Sequence, residues 1–284
     1  MTKLIALVDG SIYSQSVCDH AAWVAGRTGA SVELLHVLGR RETGSAPANL
    51  SGNITLGART ALLEELSALD EQRAKLAQKR GRAILEDAKA ILEGAGVSEV
   101  TTRLRIGDFV ETVAEFEAEA DMVVVGKRGE AADFAKLHLG SNLERAVRSS
   151  ERPVFVASRA FKPIESFVIA YDGGTSSMKA VDHIARSALF AGLECHLLTV
   201  GADTPEARKR LADAQAMLEA GGYRVTAEVI QGQPETVIAQ YVESQGIGLL
   251  VMGAYGHSRI RCLIIGSTTT EMLRSCKVPV VLFR

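Results

Sequence analysis

Short apolar segments alternate with longer amphipathic segments along the whole chain. The apolar segments are continuous: residues 123–125 read VVV, and residues 249–252 read LLVM. A parallel strand that is covered on both faces has this pattern. Strands that alternate with helices in this way predict right-handed crossovers. They therefore predict an α/β fold with an open, doubly wound parallel sheet of the Rossmann-like type.

The segments occur twice, in the same order. Residues 4–11 read LIALVDGS, and residues 167–174 read FVIAYDGG. Four pairs of segments match, each an apolar strand with its flanking residues: 4–11 and 167–174, 32–37 and 194–200, 121–126 and 249–253, and 152–156 and 278–282. Such a repeat indicates two tandem copies of one domain. We predict a first copy at residues 1–158 and a second copy at residues 164–284.

The first copy carries an insertion. Asp9 and Gly126 stand 117 positions apart, whereas Asp172 and Gly253 stand 81 apart, which leaves 36 extra residues at about 40–75. Leucines and isoleucines between 62 and 92 recur mostly at spacings of three, four and seven. They predict a long amphipathic helix that ends at Gly94 and Gly96. Two interpretations stay open: an extended helix with a solvated face, or a lid or partner surface.

Composition excludes several classes of protein. Apolar residues make up 47% of the 284 residues and charged residues 23%, which are ordinary globular values. The formal net charge of -2 lacks the basic excess that nucleic acid or an anionic membrane attracts. We therefore expect no nucleic-acid partner and no membrane partner. The four cysteines form no C-x-x-C pair and the histidines are scattered, so we expect reduced thiols, no metal site and a cytoplasmic protein.

Candidate ligand-binding residues follow the predicted strands. In open α/β sheets, ligands bind beyond the carboxyl ends of the strands. Asp9 and Asp172 come directly after the first strand of each copy. After the fourth strand, each copy has a G-x-x-G loop, then nine or ten residues, then a Gly-Ser step. The residues are Gly126, Gly129, Gly140, Ser141 and Asn142 in the first copy, and Gly253, Gly256, Gly266, Ser267 and Thr268 in the second.

This chemistry suits a polyphosphate. Glycines let the backbone approach closely, and a helix that begins at the Gly-Ser step presents N–H donors and a positive dipole end. The two aspartates have two compatible interpretations. Each can cap the following helix, and each can accept hydrogen bonds from ribose hydroxyls.

These motifs, taken together and in this order, resemble the universal stress protein family over nearly the whole chain. The resemblance implies ATP binding, with or without Mg²⁺. It places ribose at Asp9 and Asp172, adenine at the backbone of Val37 and Val200, and the phosphates at the glycine loops and Gly-Ser steps. It also implies that the last strands, residues 154–156 and 280–282, pair edge to edge within the chain, and that two chains form a homodimer. The first copy departs from the pattern by Lys127-Arg128 and one extra loop residue, so nucleotide binding there stays open.

The residues favour a binder over an enzyme. The second loop has no Asp or Glu between Gly253 and Ser267, whereas phosphoryl transfer needs metal-holding carboxylates. We therefore assign no catalytic residue and expect a nucleotide-binding stress-response regulator without efficient turnover. Two alternatives remain: a slow ATPase, and a structural pseudo-dimer whose nucleotide sites are degenerate.

Overall fold

The computed structural model describes residues 2–39, 56–127, 141–254 and 267–284. The strands of the first copy are β1 (Lys3–Leu7), β2 (Ser31–Leu38), β3 (Val100–Ile106), β4 (Met122–Gly126) and β5 (Val154–Ala157). Its helices are α1 (Ser14–Thr28), α2 (Leu56–Gly94), α3 (Phe109–Glu117) and α4 (Ser141–Ser149).

The second copy repeats this order of elements. Its strands are β6 (Ser166–Ala170), β7 (Glu194–Val200), β8 (Val225–Ile230), β9 (Leu249–Gly253) and β10 (Val280–Phe283). Its helices are α5 (Thr175–Arg186), α6 (Pro205–Ala220), α7 (Pro234–Ser244) and α8 (Ser267–Ser275). A short 3₁₀ turn, Ala188–Phe190, follows α5.

The ten strands of the described residues form one sheet in the order β3-β2-β1-β4-β5-β10-β9-β6-β7-β8. Neighbouring strands are parallel except at the centre, where β5 and β10 run antiparallel and Phe155 lies opposite Val281. The predicted α/β fold with two tandem parallel-sheet units is confirmed. The last strands of the two copies pair with each other inside one chain, so each covers the edge of the other.

Two apolar layers cover the sheet, one on each face. Alternate residues of a strand point to opposite faces, and in β1 the side chains of Leu4 and Ala6 belong to one layer while Ile5 and Leu7 belong to the other. The first layer contains buried residues of α1, α2, α5 and α6. The second contains buried residues of α3, α4, α7 and α8.

The long helix predicted after β2 is present. It spans 39 residues, whereas its counterpart α6 spans 16. Gly96, with a φ of 87°, ends it: the N–H of Gly96 donates to the Glu93 carbonyl at 3.0 Å, and the N–H of Val97 donates to the Leu92 carbonyl at 3.0 Å. Residues 40–55 of the predicted insertion lie outside the described residues.

Matching side chains of α1 and α5 contact the chain that leaves the two central strands. Beyond β5, the Ser16 hydroxyl donates to the Ser158 carbonyl at 2.7 Å. Beyond β10, the Lys179 ammonium donates to the Arg284 carbonyl at 3.0 Å. Ser16 and Lys179 occupy the same position in the repeat, 163 residues apart. In each copy, a side chain at the same helix position therefore binds a carbonyl beyond the last strand. The donor is a hydroxyl in the first copy and an ammonium in the second.

His20, in α1, is fully buried beside this joint. Its ring lies 5.5 Å from that of Phe155 and 5.1 Å from that of Phe161 in the linker. Its Nδ1 donates to the Ser16 carbonyl at 2.6 Å, while its Nε2 has no partner among the described residues. Burial lowers the pKa of His20 below its ordinary value, because a second ring proton would be enclosed without an acceptor.

We expect the free energy of unfolding to fall as the pH drops below about 6.5, the pKa of an unperturbed histidine. In that range His20 takes up a proton in the unfolded chain but stays neutral in the folded chain. The loss can reach about 1.4 kcal/mol per pH unit for one such proton. Urea denaturation at pH 7 and pH 5.5 measures it. His20→Leu should show a smaller difference between the two pH values. An equal difference in both proteins would contradict the assignment to His20.

Candidate functional site

Three predicted residues of the second copy meet at one edge of the sheet. Val200 ends β7 and Gly253 ends β9, on either side of β6. Asp172 follows β6 after Tyr171, whose N–H still donates to the Leu198 carbonyl of β7 at 2.8 Å. Because all three strands are parallel, their carboxyl ends open onto a common site.

Asp172 organises the turn after β6. Its Oδ1 accepts hydrogen bonds from the N–H of Gly174 at 2.8 Å and from the hydroxyl of Ser177 at 2.6 Å. The residue at the helix N-cap is Gly174, so the capping role predicted for the aspartate is wrong in detail. One oxygen of the Asp172 carboxylate thus holds the turn that precedes α5. The Asp172 side chain is exposed.

Asp9 makes the same turn in the first copy. Its Oδ1 accepts from the N–H of Ser11 at 3.0 Å and from the hydroxyl of Ser14 at 3.4 Å. Here the N-cap residue is Tyr13, which again corrects the prediction that the aspartate itself caps the helix.

Gly253 has no room for a side chain. A Cβ built on it would lie 2.9 Å from the Ser176 Cβ and 3.2 Å from the Ser177 nitrogen. Contacts this close would force the end of β9 away from the first turn of α5. The glycine therefore lets the end of β9 and the first turn of α5 come together.

Helix N-termini face the same edge. Helix α8 begins at Ser267 and α4 begins at Ser141, as the Gly-Ser steps predict. The buried Thr269 hydroxyl donates to the Ala254 carbonyl at 3.3 Å, so the first turn of α8 is fixed to the residue after Gly253. Only the backbone of four site residues is described here: Ser267, Thr268, Ser141 and Asn142. Gly129, Gly140, Gly256 and Gly266 lie outside the described residues.

The first copy has a cleft in the corresponding place. Asp9, Val37 and Gly126 line it together, as the sequence predicts. Its other lining residues are Leu7, Val8, Tyr13, Ser14, Val17, Leu35, His36, Phe109, Val125 and Leu143. This lining is mostly apolar.

Helix α2 packs beside the Asp9-Gly10 turn, next to that cleft. A Cβ built on Gly10 would lie 2.7 Å from the Ile84 Cδ1. A Cβ on Gly81 would lie 2.9 Å from the ring of His36, whose Nδ1 is 2.7 Å from the Val8 carbonyl. The first copy thus presents an isoleucine and a buried histidine beside its Asp-Gly turn.

The second copy presents a cation at the same point. A Cβ built on Gly173 would lie 3.3 Å from the Arg210 Cδ and 3.5 Å from its Nε. Arg210 and Ile84 are equivalent, since both lie eight residues before the buried leucines Leu218 and Leu92 of their helices. Arg210 is not among the residues predicted from the sequence. An alignment of α2 with α6 on those leucines would have revealed it.

Lys127, one of the residues by which the first copy departs from the family pattern, points away from the cleft. It is buried, and its ammonium donates to the carbonyls of Cys276 and Val278, the latter at 3.2 Å. Both carbonyls follow the end of α8 in the second copy. Burial lowers the pKa of Lys127 below its ordinary value. The side chain therefore connects the first glycine loop to the helix that carries Ser267.

Among residues 2–39, 56–127, 141–254 and 267–284, no group of three or more His, Cys, Asp or Glu side chains is placed to hold a metal ion. Likewise, no helix in that part of the chain is both long enough and apolar enough to cross a membrane.

Comparison with known proteins identifies the family. The model of the universal stress protein family matches residues 1–158 and 201–284. The chain is 38% identical over 287 residues to universal stress protein Slr1230 of Synechocystis sp., and the match covers all of both chains. The chain therefore belongs to the universal stress protein family, as a member in which the domain occurs twice.

Solved structures share the fold. The crystal structure of a universal stress protein from Archaeoglobus fulgidus superposes with a TM-score of 0.73 at 18% identity, over 99% of this chain and 98% of that one. A universal stress protein solved in complex with cAMP matches 43% of this chain and 98% of its own, at 22% identity and a TM-score of 0.37.

Proposed function

We propose that the second copy binds an adenine nucleotide, with ATP as the first candidate, and that the protein is a stress-response regulator without efficient turnover. One observation carries the proposal. Asp172, Val200 and Gly253 meet at one edge of the sheet, and the guanidinium-bearing side chain of Arg210 packs over the Asp172-Gly173 turn. Ribose requires a carboxylate, adenine requires a backbone edge, and the phosphates require a close glycine and a cation.

Each group has a role that its position supports. Asp172 gives one oxygen to its turn, so the other can accept from ribose hydroxyls. The strand end at Val200 offers backbone N–H and C=O groups to adenine. The N-terminus of α8 offers N–H donors to phosphate oxygens. Arg210, at the Asp172-Gly173 turn, adds a positive charge on the same side of the sheet.

The first copy is expected to bind nucleotide more weakly. It keeps Asp9, Val37 and Gly126, but Ile84 replaces the cation and its cleft is mostly apolar. Lys127 supplies no compensating charge, since its ammonium is bound to carbonyls of the second copy. We therefore propose one nucleotide per chain.

We expect calorimetric titration of nucleotide-free protein with ATP to give one site per chain. Four or five hydrogen bonds to phosphate, less the cost of ordering, correspond to a dissociation constant on the order of micromolar. Asp172→Asn keeps an oxygen for the Gly174 and Ser177 contacts but loses the carboxylate. It should weaken binding about tenfold or more. Phosphate release from the same samples should stay close to the background rate.

Asp9→Asn is the matched control, because Asp9 makes the same turn in the first copy. It should leave the stoichiometry and the affinity unchanged. Equal losses in both variants would place nucleotide in both copies. The absence of heat with ATP at millimolar concentration would overturn the proposal and leave a structural pseudo-dimer.

We further propose that the protein works in the cytoplasm as a homodimer. Cys18, Cys195 and Cys276 are buried and free, and burial raises the pKa of Cys18 and Cys195 to about 12. Reduced thiols of this kind are typical of a reducing compartment. The central strands β5 and β10 already occupy each other, so two chains need a different surface to pair.

A further inference from the structure

Helix α2 extends well beyond the body of the protein. Its last part is anchored by Leu85, Ala88 and Leu92, all of which are buried. From residue 62 onward, where burial is described, the first buried position of the helix is Gly81. The shorter helix α6 begins at the position equivalent to residue 79. About 23 residues of α2 therefore have no counterpart, and at 1.5 Å per residue they span about 35 Å.

The extending part carries a regular leucine seam. Leu62, Leu66, Leu69 and Leu76 follow one another at spacings of four, three and seven, with Arg73 at the remaining heptad position. Leu69 is 49% exposed and Leu76 is 68% exposed. Large apolar side chains at this spacing are typical of a helix whose seam packs against another helix.

The charges along the same stretch are separated by sign. Residues 62–71 contain four acidic side chains and no basic one: Glu64, Glu65, Asp70 and Glu71. Residues 72–82 contain five basic side chains and no acidic one: Arg73, Lys75, Lys79, Arg80 and Arg82. Two such helices side by side in parallel would repel each other. In the antiparallel orientation, the acidic end of each faces the basic end of the other.

We propose that residues 62–83 of α2 form an antiparallel two-helix contact with the same residues of a second copy of this chain. The inference rests on the homodimer proposed above and names its surface. With the two-fold axis between Gln72 and Arg73, Leu69 of one copy lies opposite Leu76 of the other. Glu65 then lies beside Arg80 of the second copy, and Asp70 beside its Lys75. A second copy of the chain thus covers Leu69 and Leu76 and places acidic side chains beside basic ones.

Sedimentation equilibrium tests the surface on the full chain. We expect a species of about twice 30.3 kDa. Leu69→Lys with Leu76→Lys should raise the dissociation constant of the dimer at least tenfold, with far-UV circular dichroism reporting that the chain stays folded. Ile106→Lys is the control, because Ile106 is also an exposed apolar residue (53%) but lies at the end of β3. It should leave the dimer intact.

A charge exchange tests the orientation. Glu65→Lys with Asp70→Lys makes the segment mostly basic, with Glu64 and Glu71 unchanged, and Lys75→Glu with Arg80→Glu makes it mostly acidic. Each variant alone should be mostly monomeric, and an equimolar mixture should form a heterodimer. A wild-type monomer at all concentrations would overturn both the homodimer and this surface. A dimer that ignores the leucine variants would overturn the surface and leave the homodimer in place.

Discussion

Phe155→Ala is expected to lower the free energy of unfolding by about 3–5 kcal/mol, the usual cost of removing a buried phenylalanine side chain. Phe155 is fully buried in β5, opposite Val281 of β10. Its ring lies 5.5 Å from that of His20 and 6.3 Å from that of Trp23. The substitution leaves a cavity where β5 of the first copy pairs with β10 of the second. Side chains of either copy alone cannot fill it.

Urea denaturation measures this loss, followed by circular dichroism and by the fluorescence of Trp23, the single tryptophan of the chain. Phe116→Ala is the control. Phe116 is only partly buried in α3, where its ring contacts the Arg105 guanidinium at 5.0 Å. That variant should lose far less. A comparable loss in both variants would show that the joint contributes no more than a peripheral contact.

Arg210→Ile is expected to weaken ATP binding by about 10- to 100-fold. The substitution gives the second copy the residue that the first copy has at the equivalent position. A charge-assisted hydrogen bond contributes about 1.5–3 kcal/mol, which corresponds to a factor of that size. Calorimetric titration measures the change. Since the Arg210 side chain is exposed, the fold should tolerate the substitution.

Arg208→Ala is the matched control on the same helix. Arg208 forms an exposed ion pair with Asp203 at 2.5 Å, away from the Asp172-Gly173 turn. The Arg208→Ala substitution should leave the affinity for ATP unchanged. If Arg208→Ala weakens binding as much as Arg210→Ile does, a general loss of positive charge explains the effect, and the assigned role of Arg210 is wrong.

The repeat made most of the fold predictable from the sequence. Each apolar segment is a strand, the long helix after β2 ends at Gly94, and the two last strands pair as expected. Apolar periodicity identifies such features because burial is what the periodicity encodes. The meeting of Asp9, Val37 and Gly126 in one cleft follows from parallel strands, whose carboxyl ends share an edge.

Other features of the site could not be read from periodicity. Arg210 lies on the polar side of α6, where the pattern gives no position for any one charge. Lys127 adjoins Gly126, yet it is buried against carbonyls about 150 residues later, a contact that no local pattern records. The roles of Gly129, Gly140, Gly256 and Gly266 remain predictions, because those glycines lie outside the described residues.

The joint between β5 and β10 also sets an order of events on the ribosome. Synthesis places about 125 residues between these strands, and at roughly 5–20 residues per second β5 waits about 6–25 seconds for its partner. During that interval the first copy can fold, but Val154, Phe155 and Val156 form an uncovered edge of the kind that promotes aggregation. A nascent or truncated chain that lacks β10 is therefore the form that a chaperone must protect.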